Sequence, residues 1–282
     1  MTLSSSKMPT PLSQLLATFE SLWPFAGAEE WDRPGLTTGH TNQPVTKALL
    51  CVDVTLEVLS EAKSLGCELI ISHHPLLLKG VNFLGEQQLK GELVSFAVKN
   101  SIALYSAHTN ADIVVDGVSD VLAKRLGVLN STPLVATGNG IGHGRIGKLQ
   151  SPKKLSEYAE YVAACLPATH APIRVAGDLN RVIETVAVVG GAGDSFISAA
   201  QQSGVDLLVT SDLRHHVTLD GALDPSRPLA LIDISHFAAE SLWLEPTCRA
   251  LSKLVPEVSF VVSSVSTDPW SMTVLGKSSS EG

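Results

Sequence analysis

The sequence predicts an α/β fold made of two similar α/β lobes that face one shared site. Three observations carry this expectation. Apolar strand-like runs alternate with helical patterns along the chain. An order of strand, helix, glycine stop and strand occurs twice. Six of the nine histidines, His73, His74, His108, His215, His216 and His236, fall in or just after segments that read as strand ends.

Residues 1–10 read as a flexible tail, and "PLSQLLATFESLW" opens a first lobe, 11–133, as a helix. "VTKALLCVDV" reads as a strand, "LEVLSEAKSLG" as a helix that Gly66 stops, and "CELIISHH" as the next strand. "GELVSFAVKN" then reads as a helix, and "SIALYSAHTNAD" as a strand followed by a loop. A second lobe, 134–275, begins with a strand, helix and strand over "GRIGKLQSPKKLSEYAEYVAACLPATHAPIRVAGD", and residues 276–282 form another polar tail.

From Thr185, "TVAVVGGAGDSFISAAQQSGVDLLVTSD" repeats the first lobe's order. Ala62 matches Ala200, Gly66 matches Gly204, Glu68 matches Asp206 and Ser72 matches Thr210, each at an offset of 138. A further strand in each half ends in His-x-x-x-carboxylate, so His108 and Asp112 answer His236 and Glu240 at an offset of 128. Packing a βαβ unit does not require that polar pair, whereas ligands of open α/β sheets gather at the carboxyl ends of strands. The internal pseudo-repeat therefore predicts a site between the lobes.

Composition narrows the function classes. A chain of 282 residues with 44% hydrophobic content can bury a large core. No apolar run approaches the roughly 18 residues that span a bilayer, and the first residues lack the apolar core of a signal peptide, so no membrane association and a cytoplasmic location are expected. Cys51, Cys67, Cys165 and Cys248 are scattered without metal-ligand spacing or a disulfide pattern. A net charge of −8 without a Lys/Arg cluster gives no electrostatic footprint for nucleic acid, so a nucleic-acid partner is not expected.

In "SHHP", Pro75 ends ladder donation and restrains His74, so the two histidines sit on a bend. Taken alone, such a pair reads as a packed core histidine beside a loop cap. Alongside the repeat it reads as one ligand for each ion of a close metal pair. Ser235 is a suitable N-cap for a helix on which His236 and Glu240, four apart, share a face. Imidazole and carboxylate without cysteine suit zinc, iron or manganese in an open rather than a closed structural site. Two such ions sharing a carboxylate would activate water. His108 reads as a group that supports this centre from outside the ligand set.

"VVGGAGDSFISAA" is neither a Walker loop nor a dinucleotide fingerprint, since Phe196 stands where the last glycine should be, and its glycines read as turn residues. For "TSDLRHHVTLDG" two readings are open. It forms either a self-satisfied loop network or a substrate-facing wall, with Asp212 and His216 as proton carriers beside Arg214 and His215 as substrate contacts.

The ordered set "EEWDRPGLTTGH", "DVTLEVLSEAKSLGCELIISHHPLLLKG", "YSAHTNAD", "VAVVGGAGDSFISAA", "VTSDLRHH" and "DISHFAAE" resembles the Nif-three-like dinuclear metal-centre family, the GTP cyclohydrolase I type 2 homologues, over nearly the whole chain. The resemblance implies two divalent metal ions per subunit held by His73, His74, Asp112, His236 and Glu240, a homohexameric ring, and a small-molecule substrate of the nucleotide class. Arg33 and Pro34 replace the family's usual Asn-Val, and Ser211 and Ser235 replace glycines. The short middle segment implies the compact form without an inserted domain. Two function classes follow: a dinuclear-metal hydrolase of GTP cyclohydrolase or nucleotide-phosphoester type, and a metal-loaded hexameric scaffold for a protein or a single-stranded nucleic acid.

Overall fold

The five residues of Ala230–Ile234, and the four each of Leu69–Ser72 and Ala103–Ser106, are buried throughout. Strands covered on both faces belong in a parallel sheet sandwiched by helices. The computed structural model describes residues 9–274 except 139, 225 and 227, so residues 1–8 of the first tail read from the sequence and the whole of the second, 276–282, lie outside the described residues.

Two sheets form the body. The first has five strands in the order Ser259–Val262, Lys47–Cys51, Leu69–Ser72, Ala103–Ser106 and Gly35–Thr38, parallel except for the last. The second has six, in the order Arg174–Ala176, Ala230–Ile234, Leu207–Ser211, Val182–Ala192, Arg145–Lys154 and Val128–Thr132. Its three central strands are parallel and its remaining pairings are antiparallel. The first sheet thus holds four parallel strands and the second three, and in each an antiparallel strand lies beside the last of them, Ala103–Ser106 in the first and Ala230–Ile234 in the second.

The first sheet buries Leu50, Ile71 and Tyr105 against the helix Leu12–Leu22 and Trp243. Its other face buries Leu49, Ile70 and Leu104 under the helices Leu56–Leu65 and Leu89–Lys99. The alternation is the two-residue period of a strand. Val188, Val209 and Ile232 do the same for the second sheet against Leu122 and Tyr158, while Val189, Leu208 and Leu231 pack on Ile197 and Ala200.

Gly66 and Gly204 end their helices in the left-handed region, with φ of 66° and 71°, a C-cap conformation that suits glycine. Two residues later, Glu68 accepts from the backbone N–H of Thr46 and Lys47 at 3.1 and 2.9 Å. Asp206 accepts from Glu184 and Thr185 at 3.0 and 2.9 Å in the same way. The matched acids therefore brace the start of the preceding strand in both sheets.

The sheets do not follow a division of the chain at residue 133. Val128–Thr132 forms the edge of the second sheet, and Ser259–Val262 crosses back to the edge of the first. The helix Leu244–Leu254 packs on Ser259–Val262 and delivers it there, a long-range return that local patterning does not encode.

Candidate metal centre

The strand Leu69–Ser72 stops at Ser72, but its backbone pairing continues two residues further: His73 and His74 donate to the carbonyls of Cys51 and Val52 at 3.0 and 2.9 Å. Both rings therefore lie at the carboxyl edge of the first sheet, 5.0 Å apart between centroids. Across from them Ser235 caps the helix His236–Ser241 by accepting from Ala238 N at 3.1 Å, as its position in the sequence predicts. His236 Nε2 then meets Glu240 Oε1 at 2.8 Å on the same helical face.

Glu240 is the hub of the site. Its Oε1 lies 3.4 Å from His73 Nε2, and its Oε2 lies 3.1 Å from His74 Nε2. Asp112, at the end of the short helix Thr109–Asp112, brings Oδ1 to 3.6 Å from His73 Nε2. His74 Nε2 and His236 Nε2 face each other at 3.3 Å. Ligand atoms of His73, His74 and His108 lie within 4.8 Å of one another, as do those of His74, His236 and Glu240.

Each imidazole is held from behind through Nδ1. His73 donates to the Ala107 carbonyl at 2.9 Å, and His74, His108 and His236 donate to Asp53, Asp32 and Asp212, each at 2.7 Å. A carbonyl or an ionised carboxylate can only accept, so Nδ1 carries a proton and Nε2 is the nitrogen turned toward the centre. This is the arrangement that orients metal-binding histidines and fixes their tautomer. Asp32 also accepts from Thr109 N at 3.0 Å, and Asp212 adopts a left-handed backbone, φ 56°, that Asp tolerates.

The electrostatics favour cations. Burial opposes ionisation of Glu240, yet His74, His73 and His236 hold its carboxyl well below the usual range. Burial and the neighbouring Glu240 push Asp112 the other way, well above it. Burial likewise opposes charge on His74, but Glu240 and Asp53 push it up to about 11; Glu240 and Asp212 push His236 up to about 10 against the same penalty.

The chain fits a bound divalent ion on three structural grounds. His73 Nε2 and Asp112 Oδ1 are buried in one cluster and lack a hydrogen-bond partner, and orphaned buried polar atoms call for an unseen partner. The donor set of imidazoles and carboxylates is that of zinc, iron and manganese sites. Gly191, with φ +76°, leaves the hub uncrowded, since a Cβ there would come 2.7 Å from Glu240 Oε1 and 3.5 Å from His236 Nε2.

On one side the cluster opens into a cavity of about 580 Å³ lined by Trp31, Asp112, His143, Phe196 and Glu240. His143 Nε2 pairs with Glu29 Oε1 at 2.8 Å on this wall, and no lysine or arginine lines it among the described residues. On the other side lies a cavity of about 850 Å³ bounded by Asp53, Asp212, Trp270 and Met272.

The structure gathers His73, His74, Asp112, His236 and Glu240, and it puts His108 within reach of the same ligand atoms rather than outside them. Asp212 is the hydrogen-bond partner of His236. Arg214, His215 and His216 are exposed, and none of them lines the cavity of about 580 Å³. Arg214 stands just before the helix His215–Leu223 and pairs with Asp194, while the rings of His215 and His216 meet edge to face at 5.1 Å. The helix starts immediately after Arg214 and carries these side chains along the surface. Asp32, Asp53 and the Glu29–His143 pair escaped sequence reasoning; Asp53 alone had a signal, as a carboxylate just past a strand end.

Fold and cluster together define a two-sheet α/β protein with a candidate metal-binding centre between its sheets. A family model described as Duf34/NIF3 (NGG1p interacting factor 3) matches residues 10–269, and the chain belongs to this family. A Streptomyces coelicolor protein named GTP cyclohydrolase 1 type 2 homolog is 39% identical over 271 residues, covering 93% of this chain and 94% of that one. A Clostridium perfringens protein of the same name is 33% identical over 265 residues, 92% of this chain and 98% of its own. Such coverage leaves no room for an inserted domain in either relative. The crystal structure of a Bacillus cereus protein related to NIF3 superimposes with a TM-score of 0.88 at 26% identity, covering 94% of this chain and 99% of that one.

Proposed function

We propose that this protein is a dinuclear-metal hydrolase acting on a nucleotide or related phosphoester, with opening of the GTP purine ring as the specific reaction to test. The observation that carries the reading is Glu240, whose two oxygens face separate imidazoles that are each fixed from behind. His73, His74, Asp112, His236 and Glu240 would hold the ions, with His108 beside them. Bound there, divalent ions supply water of lowered pKa and offset negative charge that develops during reaction. Asp53, Asp212 and Asp32 hold Nδ1 of their histidines and so direct Nε2 toward the ions. Trp31 and Phe196 give the cavity apolar surface for a ring, and His143 with Glu29 can hold a proton on its wall. Arg214, His215 and His216 take no part in this reading, and Asp212 serves as an orienting group rather than a proton carrier.

The relatives named GTP cyclohydrolase 1 type 2 homolog support the choice of GTP as the first substrate to assay. Because no lysine or arginine among the described residues lines the cavity of about 580 Å³, nucleosides and bis-p-nitrophenyl phosphate belong in the same screen. Protein stripped with a chelator is expected to be inert and to regain turnover with zinc, iron or manganese, while His74→Ala loses metal and turnover together. Metal-replete protein that turns over nothing in the screen would replace this reading with the scaffold one.

We further propose a closed homohexamer, since Phe83, Leu89 and Val98, at 76%, 66% and 60% exposed, offer apolar surface for association. Light scattering is expected to give six times the mass of one chain, and a monomer at micromolar concentration would refute it. Among the described residues no helix is long and apolar enough to cross a membrane. The four cysteines are free, which fits the reducing cytoplasm in which we place the protein.

A further inference from the structure

We propose that Thr267 is a positioning residue for the metal centre, acting through Asp53 on His74, so that the C-terminal segment 263–268 sets metal affinity. The inference rests on the metal reading above and adds residues that no ligand motif contains. Thr267 Oγ1 donates to Asp53 Oδ2 at 2.6 Å, across 214 residues of sequence. The other oxygen of that carboxylate accepts from His74 Nδ1 at 2.7 Å, and His74 Nε2 faces Glu240 at 3.1 Å. Asp53 is partly exposed and His74 has 26% of its side chain open, so neighbouring packing alone does not pin either group. The hydroxyl takes one oxygen of Asp53 and leaves the other to the imidazole, which selects one carboxylate orientation and one ring plane.

The segment that carries Thr267 is itself anchored. Ser263 N donates to the Leu50 carbonyl at 2.8 Å, extending the edge strand of the first sheet. Ser264 donates to Glu61 Oε1 through N and Oγ at 2.9 and 2.6 Å, and Ser263 Oγ pairs with the other oxygen of Glu61. One residue past Thr267, Asp268 accepts from Ser235 Oγ at 3.4 Å, and that same hydroxyl caps the helix bearing His236 and Glu240. Residues 263–268 thus run from the first sheet to the cap of the second sheet's ligand helix, touching the support of one ligand set on each side. Partners that orient a metal-binding histidine contribute about 10- to 100-fold to metal affinity.

The test is a zinc titration of the full-length, chelator-stripped protein against a competing chromophoric chelator. Thr267→Val, nearly equal in shape, is expected to weaken one zinc equivalent by about 10-fold, and Thr267→Ser, which keeps the hydroxyl, to bind as wild type does. Asp53→Asn should weaken zinc at least as much, because an amide cannot accept at both ends, and it runs the same test without touching the segment should Thr267→Val fold poorly. Adding Thr267→Val to Asp53→Asn should cost nothing more, the mark of action through a shared partner. Wild-type affinity in Thr267→Val, failure of serine to rescue, or additive losses in the double variant would overturn the proposal alone. A wild-type protein that takes up no zinc would overturn the metal reading and this proposal with it.

Discussion

Glu240→Ala is expected to empty the centre of both of the ions proposed for it. Glu240 is 3% exposed and, among the described residues, is the one carboxylate whose two oxygens reach both His73 and His74, and Oε1 also meets His236. Removing it separates the two halves of the donor set, so neither retains the imidazole and carboxylate combination that suits a divalent ion. Elemental analysis of wild-type protein purified without chelator should give about two ions per chain, and the variant a small fraction of that. Stability offers a second readout. Metal at a thousand times its dissociation constant adds about 4 kcal/mol to the folded state, or roughly 8 °C in the midpoint of a chain this long. That metal-dependent increment should vanish in Glu240→Ala, whereas a variant with two tightly bound ions would remove Glu240 from its place as the shared ligand.

Arg145→Met should lower unfolding stability by about 3–5 kcal/mol, the usual result of breaking a buried charge network from one side. Arg145 is 2% exposed and spends all its donors inside the protein. Nη1 reaches the carbonyls of Gly142 and Gly144 at 2.8 Å each, Nη2 those of Ile113 and Val114 at 3.2 and 2.6 Å, and Nε reaches Asp120 at 3.1 Å. Methionine fills the space of the stem and satisfies none of these acceptors. Ile113 and Val114 directly follow Asp112, and Gly142 and Gly144 flank His143, so the same side chain ties both walls of the cavity together. Urea denaturation with and without zinc checks both consequences: a lower midpoint, and a smaller gain from metal. A change below about 1 kcal/mol, the size of an exposed ion pair, would show that water reaches these acceptors.

The separate roles of neighbouring polar residues depended on where the backbone turned. In "SHHP" two histidines one residue apart would point to opposite faces of an extended strand, yet continued pairing with Cys51 and Val52 and the approach of Glu240 bring both Nε2 atoms to one carboxylate. In "TSDLRHH" the left-handed Asp212 meets His236, and after the buried Leu213 the chain leaves through Arg214 into the helix that carries His215 and His216 along the surface. The two stretches look alike in composition, and only the second carries its histidines away from the cavity.

Local chemistry by itself determined the parts that repeat at short range. Short apolar runs specified the strands, Gly66 and Gly204 the helix ends, Ser235 a cap, and the four-residue spacing of His236 and Glu240 a shared face. Each of these follows from covalent geometry or from contacts within one turn, so the residues alone suffice to read them. The tertiary structure decided which polar groups meet across the chain. Asp32 behind His108, Asp53 behind His74, Thr267 behind Asp53 and Arg145 beneath both cavity walls are each separated in sequence by 21 to 214 residues from a group they hold. The return of Ser259–Val262 to the first sheet belongs with them. Partners of that kind need only one donor and one acceptor, which many residue types supply, so they leave no pattern in the sequence and exist only once the two sheets have packed.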